Sequence, residues 1–93
     1  MNIIWTDTAH SSYLSIIDQV FEKWGIQIVE RLEEQVVQLI DKIENHNHIC
    51  PKAKFKNLHK CVINKHNSLI YRIKGNDTIE IIVLLFNKSE HGF

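Results

Sequence analysis

Apolar residues recur along the first half of the chain at gaps of three and four. Ala9, Tyr13, Ile16, Ile17, Val20, Phe21 and Trp24 form one stripe, and Val29, Leu32, Val36, Leu39, Ile40 and Ile43 form a second. That spacing is the signature of amphipathic helices with one face turned to a core. The first helix begins after Thr6 or Asp7, whose short side-chain oxygen can accept from a free first-turn amide. It ends at Gly25, which tolerates the conformation of a C-terminal cap. The second runs from Ile26 to Glu44. So short a connection makes the two fold back as an antiparallel hairpin. Truncating a stripe residue such as Phe21 or Leu39 is expected to cost about 2–5 kcal/mol.

The pattern changes on either side of the hairpin. Asn2–Thr6 is β-branched and aromatic and predicts a short strand. Asn45–Pro51 breaks the helical period, and Lys52–Lys56 is a basic lead-in without a clear period. Leu58–Asn64, Ser68–Lys74 and Thr78–Phe86 predict three strands, separated by the turns Lys65-His66-Asn67 and Gly75-Asn76-Asp77. The last strand is apolar at every position from Ile81 to Phe86, which predicts cover on both faces. Asn87–Phe93 reads as a polar tail. The expected fold is α+β in the order β-α-α-β-β-β: an N-terminal strand, then a two-helix hairpin packed on an antiparallel sheet.

Ninety-three residues suit one domain, 1–93, with room for one modest core. No apolar run is long enough to span a membrane. Met1-Asn2-Ile3-Ile4-Trp5 lacks the basic and apolar regions of a signal peptide, so a cytoplasmic protein is expected. In a reducing compartment Cys50 and Cys61 are expected to be free thiols.

The net charge is zero, but its distribution is uneven. Residues 1–45 carry eight acids (Asp7, Asp18, Glu22, Glu30, Glu33, Glu34, Asp41, Glu44) against Lys23, Arg31 and Lys42. Residues 46–74 carry Lys52, Lys54, Lys56, Lys60, Lys65, Arg72 and Lys74 and no acid. Such a block suits an anionic partner, although lysines also serve to blunt a sheet edge. Lys52, Lys54, Lys56 and Lys65 are the candidates for contacting a nucleic acid or other target.

His46, His48, Cys50, His59 and Cys61 are zinc-type donors, but their spacing is not that of a finger or ribbon, so no metal is expected. Phosphate cradles and the signatures of metalloproteases, serine hydrolases and dinucleotide enzymes are absent, and no cofactor is expected. Cleavage of RNA needs none. It requires a base, an acid and cations at the phosphate, and a sheet face holds such groups at fixed spacing.

The opening Ile4-Trp5-Thr6-x-x-Ala9, followed by Tyr13-Leu14-x-Ile16-Ile17-Asp18, resembles the start of the RelE/ParE toxin superfamily. The run from Leu58 to Ile73 and the closing strand Ile79–Phe86 are similar to that superfamily too. The resemblance implies the toxin of a bacterial type II toxin–antitoxin module, masked by a cognate antitoxin. RelE-like members cleave messenger RNA in the ribosomal A site, and ParE-like members poison DNA gyrase.

If the chain belongs to the ribonuclease branch, charge and position on strands or strand ends make Lys60, Arg72 and Lys88 the candidate cations, and imidazole chemistry makes His59 and His91 the candidate proton-transfer groups. The match is thinned. That branch often carries lysine or arginine where His59 and Cys61 stand, and arginine where Ser68 stands. Lys88 replaces an arginine without its fork geometry, and the terminal catalytic histidine or tyrosine has only His91 or Phe93 to match it. These departures favour a ParE-like or weakly active toxin. The alternatives are a ribosome-dependent endoribonuclease, an antitoxin-binding remnant and a plain nucleic-acid-binding module. Ile28 and Val37, off the main stripe of the second helix, are the candidates for antitoxin contact.

Overall fold

The computed structural model describes residues 2–53 and 57–87. Strand β1 (Asn2–Trp5) leads into helices α1 (Asp7–Trp24) and α2 (Ile26–Asn45), followed by strands β2 (Leu58–Asn64), β3 (Asn67–Lys74) and β4 (Thr78–Phe86). The sheet order is β1-β4-β3-β2. β2, β3 and β4 are antiparallel neighbours, whereas β1 adds to β4 in parallel, with Ile3 opposite Ile79 and Trp5 opposite Ile81. The sheet is therefore mixed rather than wholly antiparallel. The helices intervene between the strand pair that ends up parallel, as such a crossover requires.

Thr6 caps α1, accepting from the Ala9 amide at 3.0 Å while its hydroxyl reaches the β4 carbonyls of Ile81 and Ile82. Ser12 makes the next tie, since its Oγ accepts from the Leu84 amide at 3.0 Å. That amide follows a bulge: Ile70 pairs with Val83 and Tyr71 with Ile81, leaving Ile82 out of register. Gly25, at φ 84°, is the single residue between the helices, in a conformation that L side chains rarely adopt.

The core lies between the helices and one face of the sheet. Ala9, Ile16 and Val20 of α1 and Val29, Leu32, Val36 and Ile43 of α2 meet Cys61, Leu69, Tyr71, Ile79, Ile81 and Leu84. Phe21 is not among them, being 54% exposed. It sits one position past Val20, about 100° further round the helix, on a flank of α1 that nothing described covers. Tyr13, Ile17, Trp24, Leu39 and Ile40 are half-buried against the core. β4 is not enclosed on both sides either. Ile79, Ile81 and Leu84 are buried, but Ile82, Val83 and Leu85 remain half-buried on the face away from the helices. No helix among the described residues is long and apolar enough to cross a membrane.

Candidate functional site

The alternation of β2 sends neighbouring candidates to opposite faces. His59 pairs with Tyr71 and Cys61 with Leu69, and all four face the core. Lys60 pairs with Ile70, Leu58 with Arg72 and Val62 with Ser68, on the outer face.

On the inner side His59 is only 3% exposed. Its ring stacks on Tyr71 with centroids 4.9 Å apart and planes 11° from parallel. Its Nδ1 lies 2.7 Å from the Cys50 carbonyl. A carbonyl oxygen only accepts, so Nδ1 carries the proton. The Tyr71 hydroxyl donates to the Asn47 carbonyl at 2.7 Å. Burial holds that hydroxyl above its ordinary value of 10.0, opposed by a smaller pull from a backbone hydrogen bond with Cys50.

Both carbonyls belong to the strap that follows α2. The strap runs back along β2 so that Lys52 bridges to His59. The Lys60 amide donates to the Pro51 carbonyl at 3.1 Å, and the Ala53 amide to that of Leu58 at 2.7 Å. This places Cys50 and Cys61 with Cα atoms 5.3 Å apart, and they form a disulfide. The expectation of free thiols is thereby corrected: the compartment argument carries no information about a strap that returns beside its own strand.

The outer side carries the charge. Lys60 is exposed. Arg72 is paired through Nε with Glu80, directly opposite it on β4. Asn57, Leu58, Arg72, Lys74 and Ile82 line a shallow groove beside them. Val62, at 71% exposed, and Ile4 extend an apolar surface across this face. The arrangement suits binding of a partner with anionic and apolar groups. The only histidine on the three antiparallel strands, His59, points the other way.

The structure thus brings Lys60 and Arg72 to one face and separates His59 from both. Lys52 is exposed on the strap and Lys65 at the β2–β3 turn. Lys54, Lys56, Lys88 and His91 lie outside the described residues. Ile28 packs against the core, whereas Val37 is 66% exposed. Nine residues is two and a half helical turns, so the two occupy opposite sides of α2. Among the described residues no cluster of three His, Cys, Asp or Glu side chains could hold a metal ion.

Sequence reasoning missed Glu80 as the partner of Arg72. A signal was present, since a hairpin centred on Gly75-Asn76-Asp77 puts Lys74 opposite Thr78 and hence Arg72 opposite Glu80. The apolar outer face had a weaker signal in the continuous run from Ile81 to Phe86.

Residues 3–91 match the family described as the ParE toxin of the type II toxin–antitoxin system parDE. No curated protein matches the chain. Among solved structures, the chromosomal ParDE system from P. aeruginosa superposes with a TM-score of 0.79 at 16% identity, covering 95% of this chain and 97% of that one. The YoeB/ParE toxin from Agrobacterium tumefaciens gives 0.69 at 17% identity, over 95% and 100%. A YoeB–YefM complex from Staphylococcus aureus gives 0.66 at 17%, over 95% and 98%. At such identities these likenesses establish the fold.

Proposed function

The chain belongs to the ParE toxin family of type II toxin–antitoxin modules, and from that premise we propose that it arrests growth by binding DNA gyrase through the outer face of β2–β4 rather than by cutting messenger RNA. One observation carries this reading: His59 is buried on the core side, away from Lys60 and Arg72. A general base must come within hydrogen-bond reach of the proton it removes, and cations on the far side of a sheet cannot share a phosphate with it. Arg72 is further occupied by Glu80. His59 is then a packing residue that holds the strap. Lys60 supplies outer-face charge, with Lys52 and Lys65 at its margins.

In the resting module the toxin is masked by a cognate antitoxin. The S. aureus neighbour, solved as a complex with YefM, supports this. The exposed apolar side chains Leu14, Phe21, Ile26 and Val37 of the helices offer what a masking segment buries. Ile28, half-buried against the core on the opposite side of α2, is left out of the proposed surface.

Inducible expression without antitoxin tests the reading. Wild type and His59→Gln should both produce trapped DNA breaks while messages keep their native 5′ ends. Codon-spaced message cuts that vanish in His59→Gln would overturn it in favour of the ribosome-dependent nuclease.

A further inference from the structure

The strap 46–53 is held in an unusual way. None of its eight residues is buried: His46, His48, Ile49, Pro51 and Lys52 are exposed, and Asn47, Cys50 and Ala53 are intermediate. It contributes no side chain to the core beyond the half-buried Cys50. What fixes it is a handful of hydrogen bonds, to the β2 backbone, the His59 ring and the Tyr71 hydroxyl, and one covalent bond to the buried Cys61. Without apolar burial, a segment tied by a few hydrogen bonds belongs to the low-stability end of local opening. The core on which it rests comes from the helices and from β2–β4, with Cys50 alone of the strap packed at its margin.

We propose that the Cys50–Cys61 disulfide is a thiol-responsive latch that decides whether the outer edge of β2 is covered. In the oxidised chain the Leu58 carbonyl and the Lys60 amide are taken by Ala53 and Pro51. Reduction by a dithiol or by a glutathione-type thiol begins at Cys50, the less buried of the two residues, because Cys61 is almost wholly covered. The attacking thiolate bonds to Cys50 Sγ, the Cys50–Cys61 bond breaks, and Cys61 leaves with the electron pair and takes up a proton. A second reductant thiolate then attacks the mixed disulfide. Cys50 is released as a thiol and the reductant departs as a disulfide, so two electrons pass to the cysteine pair. The strap is then free to lift, and β2 presents unpaired backbone groups at Leu58 and Lys60, next to the exposed Lys60 side chain. This device does not depend on which target the toxin has.

Hydrogen exchange on the full chain tests the latch, oxidised and then held in millimolar dithiothreitol, with Cys50→Ser as a permanently open form. In the reduced protein and in Cys50→Ser the Ala53 and Lys60 amides should exchange at least about tenfold faster, while the Leu69 and Tyr71 amides of β3 change by less than about twofold. Tryptophan fluorescence should report an intact fold in all three. Unchanged exchange at Ala53 and Lys60 would overturn the proposal. So would faster exchange across the whole sheet, which would make the bond a structural staple, or a disulfide that survives the reductant in the native protein.

Discussion

The inner and outer faces of β2 begin with comparable chemistry and end in opposite circumstances. Inside, His59 and Cys61 are enclosed: one stacks on Tyr71 and bonds to the Cys50 carbonyl, the other is crosslinked to Cys50. Outside, Lys60 and Val62 stand in solvent beside an ion-paired Arg72. A one-residue step along a strand therefore separates groups that build the protein from groups that can meet a partner. A histidine and a cysteine within a lysine-rich segment suggest catalysis or metal binding when read linearly. In the fold both lie buried on the core side, His59 stacked on Tyr71 and Cys61 crosslinked to Cys50.

The contrast is broken most forcefully by cutting into the inner face. Leu69→Ala, at a fully buried site, should cost about 2–5 kcal/mol, measured by denaturant unfolding. Ile70→Ala, one residue along on the outer face, should cost clearly less. Equal losses would mean that the outer face is as enclosed as the inner.

Tyr71→Phe keeps the stack on His59 and removes only the hydroxyl, stranding the Asn47 carbonyl. The cost should be about 1–3 kcal/mol. The same substitution sharpens the pH dependence. Burial raises Tyr71 above 10.0 in the folded state. The folded protein thus holds this proton more tightly than the unfolded chain does. The resulting stabilisation is fully present below about pH 10 and is lost as pH climbs through the folded value. Tyr13 is shifted the same way, first by burial and then by Glu33. Wild-type stability should fall above about pH 10, and Tyr71→Phe should fall less steeply. A slope unaffected by the substitution would contradict the assignment.

On the outer face the expected effects on stability are small. A double-mutant cycle on Arg72 and Glu80 should give a coupling of about 0.2–1 kcal/mol, because the pair is partly solvated. Phe21→Ala and Lys60→Ala should each change stability by no more than about 0.5 kcal/mol. Phe21→Ala should weaken antitoxin capture in a pull-down, and a variant that binds as well as wild type would remove Phe21 from that surface.

The strands and helices were legible because each carries a clean period, and the strong stripe of α2 located its buried residues well. The stripe of α1 is wider than the core it packs on. Phe21 has the right spacing, but periodicity does not say how wide an arc the neighbours cover. Period two placed His59 and Cys61 together, opposite Lys60, without revealing which side the helices take. The mixed sheet was not visible, since nothing local in Asn2–Trp5 distinguishes pairing with β4 from pairing with another strand. The disulfide was hidden for a similar reason. It depends on the path of residues 46–53, a stretch with no period at all.

On the proposed function, the outer face of the sheet acts on gyrase and His59 takes no part in chemistry. Supercoiling by purified gyrase, followed in the presence of the antitoxin-free chain, tests it most directly. Wild type and His59→Gln should both suppress supercoiling and accumulate cleaved DNA, and Lys60→Glu should do so more weakly despite equal stability. Undiminished supercoiling at saturating wild-type toxin would contradict it.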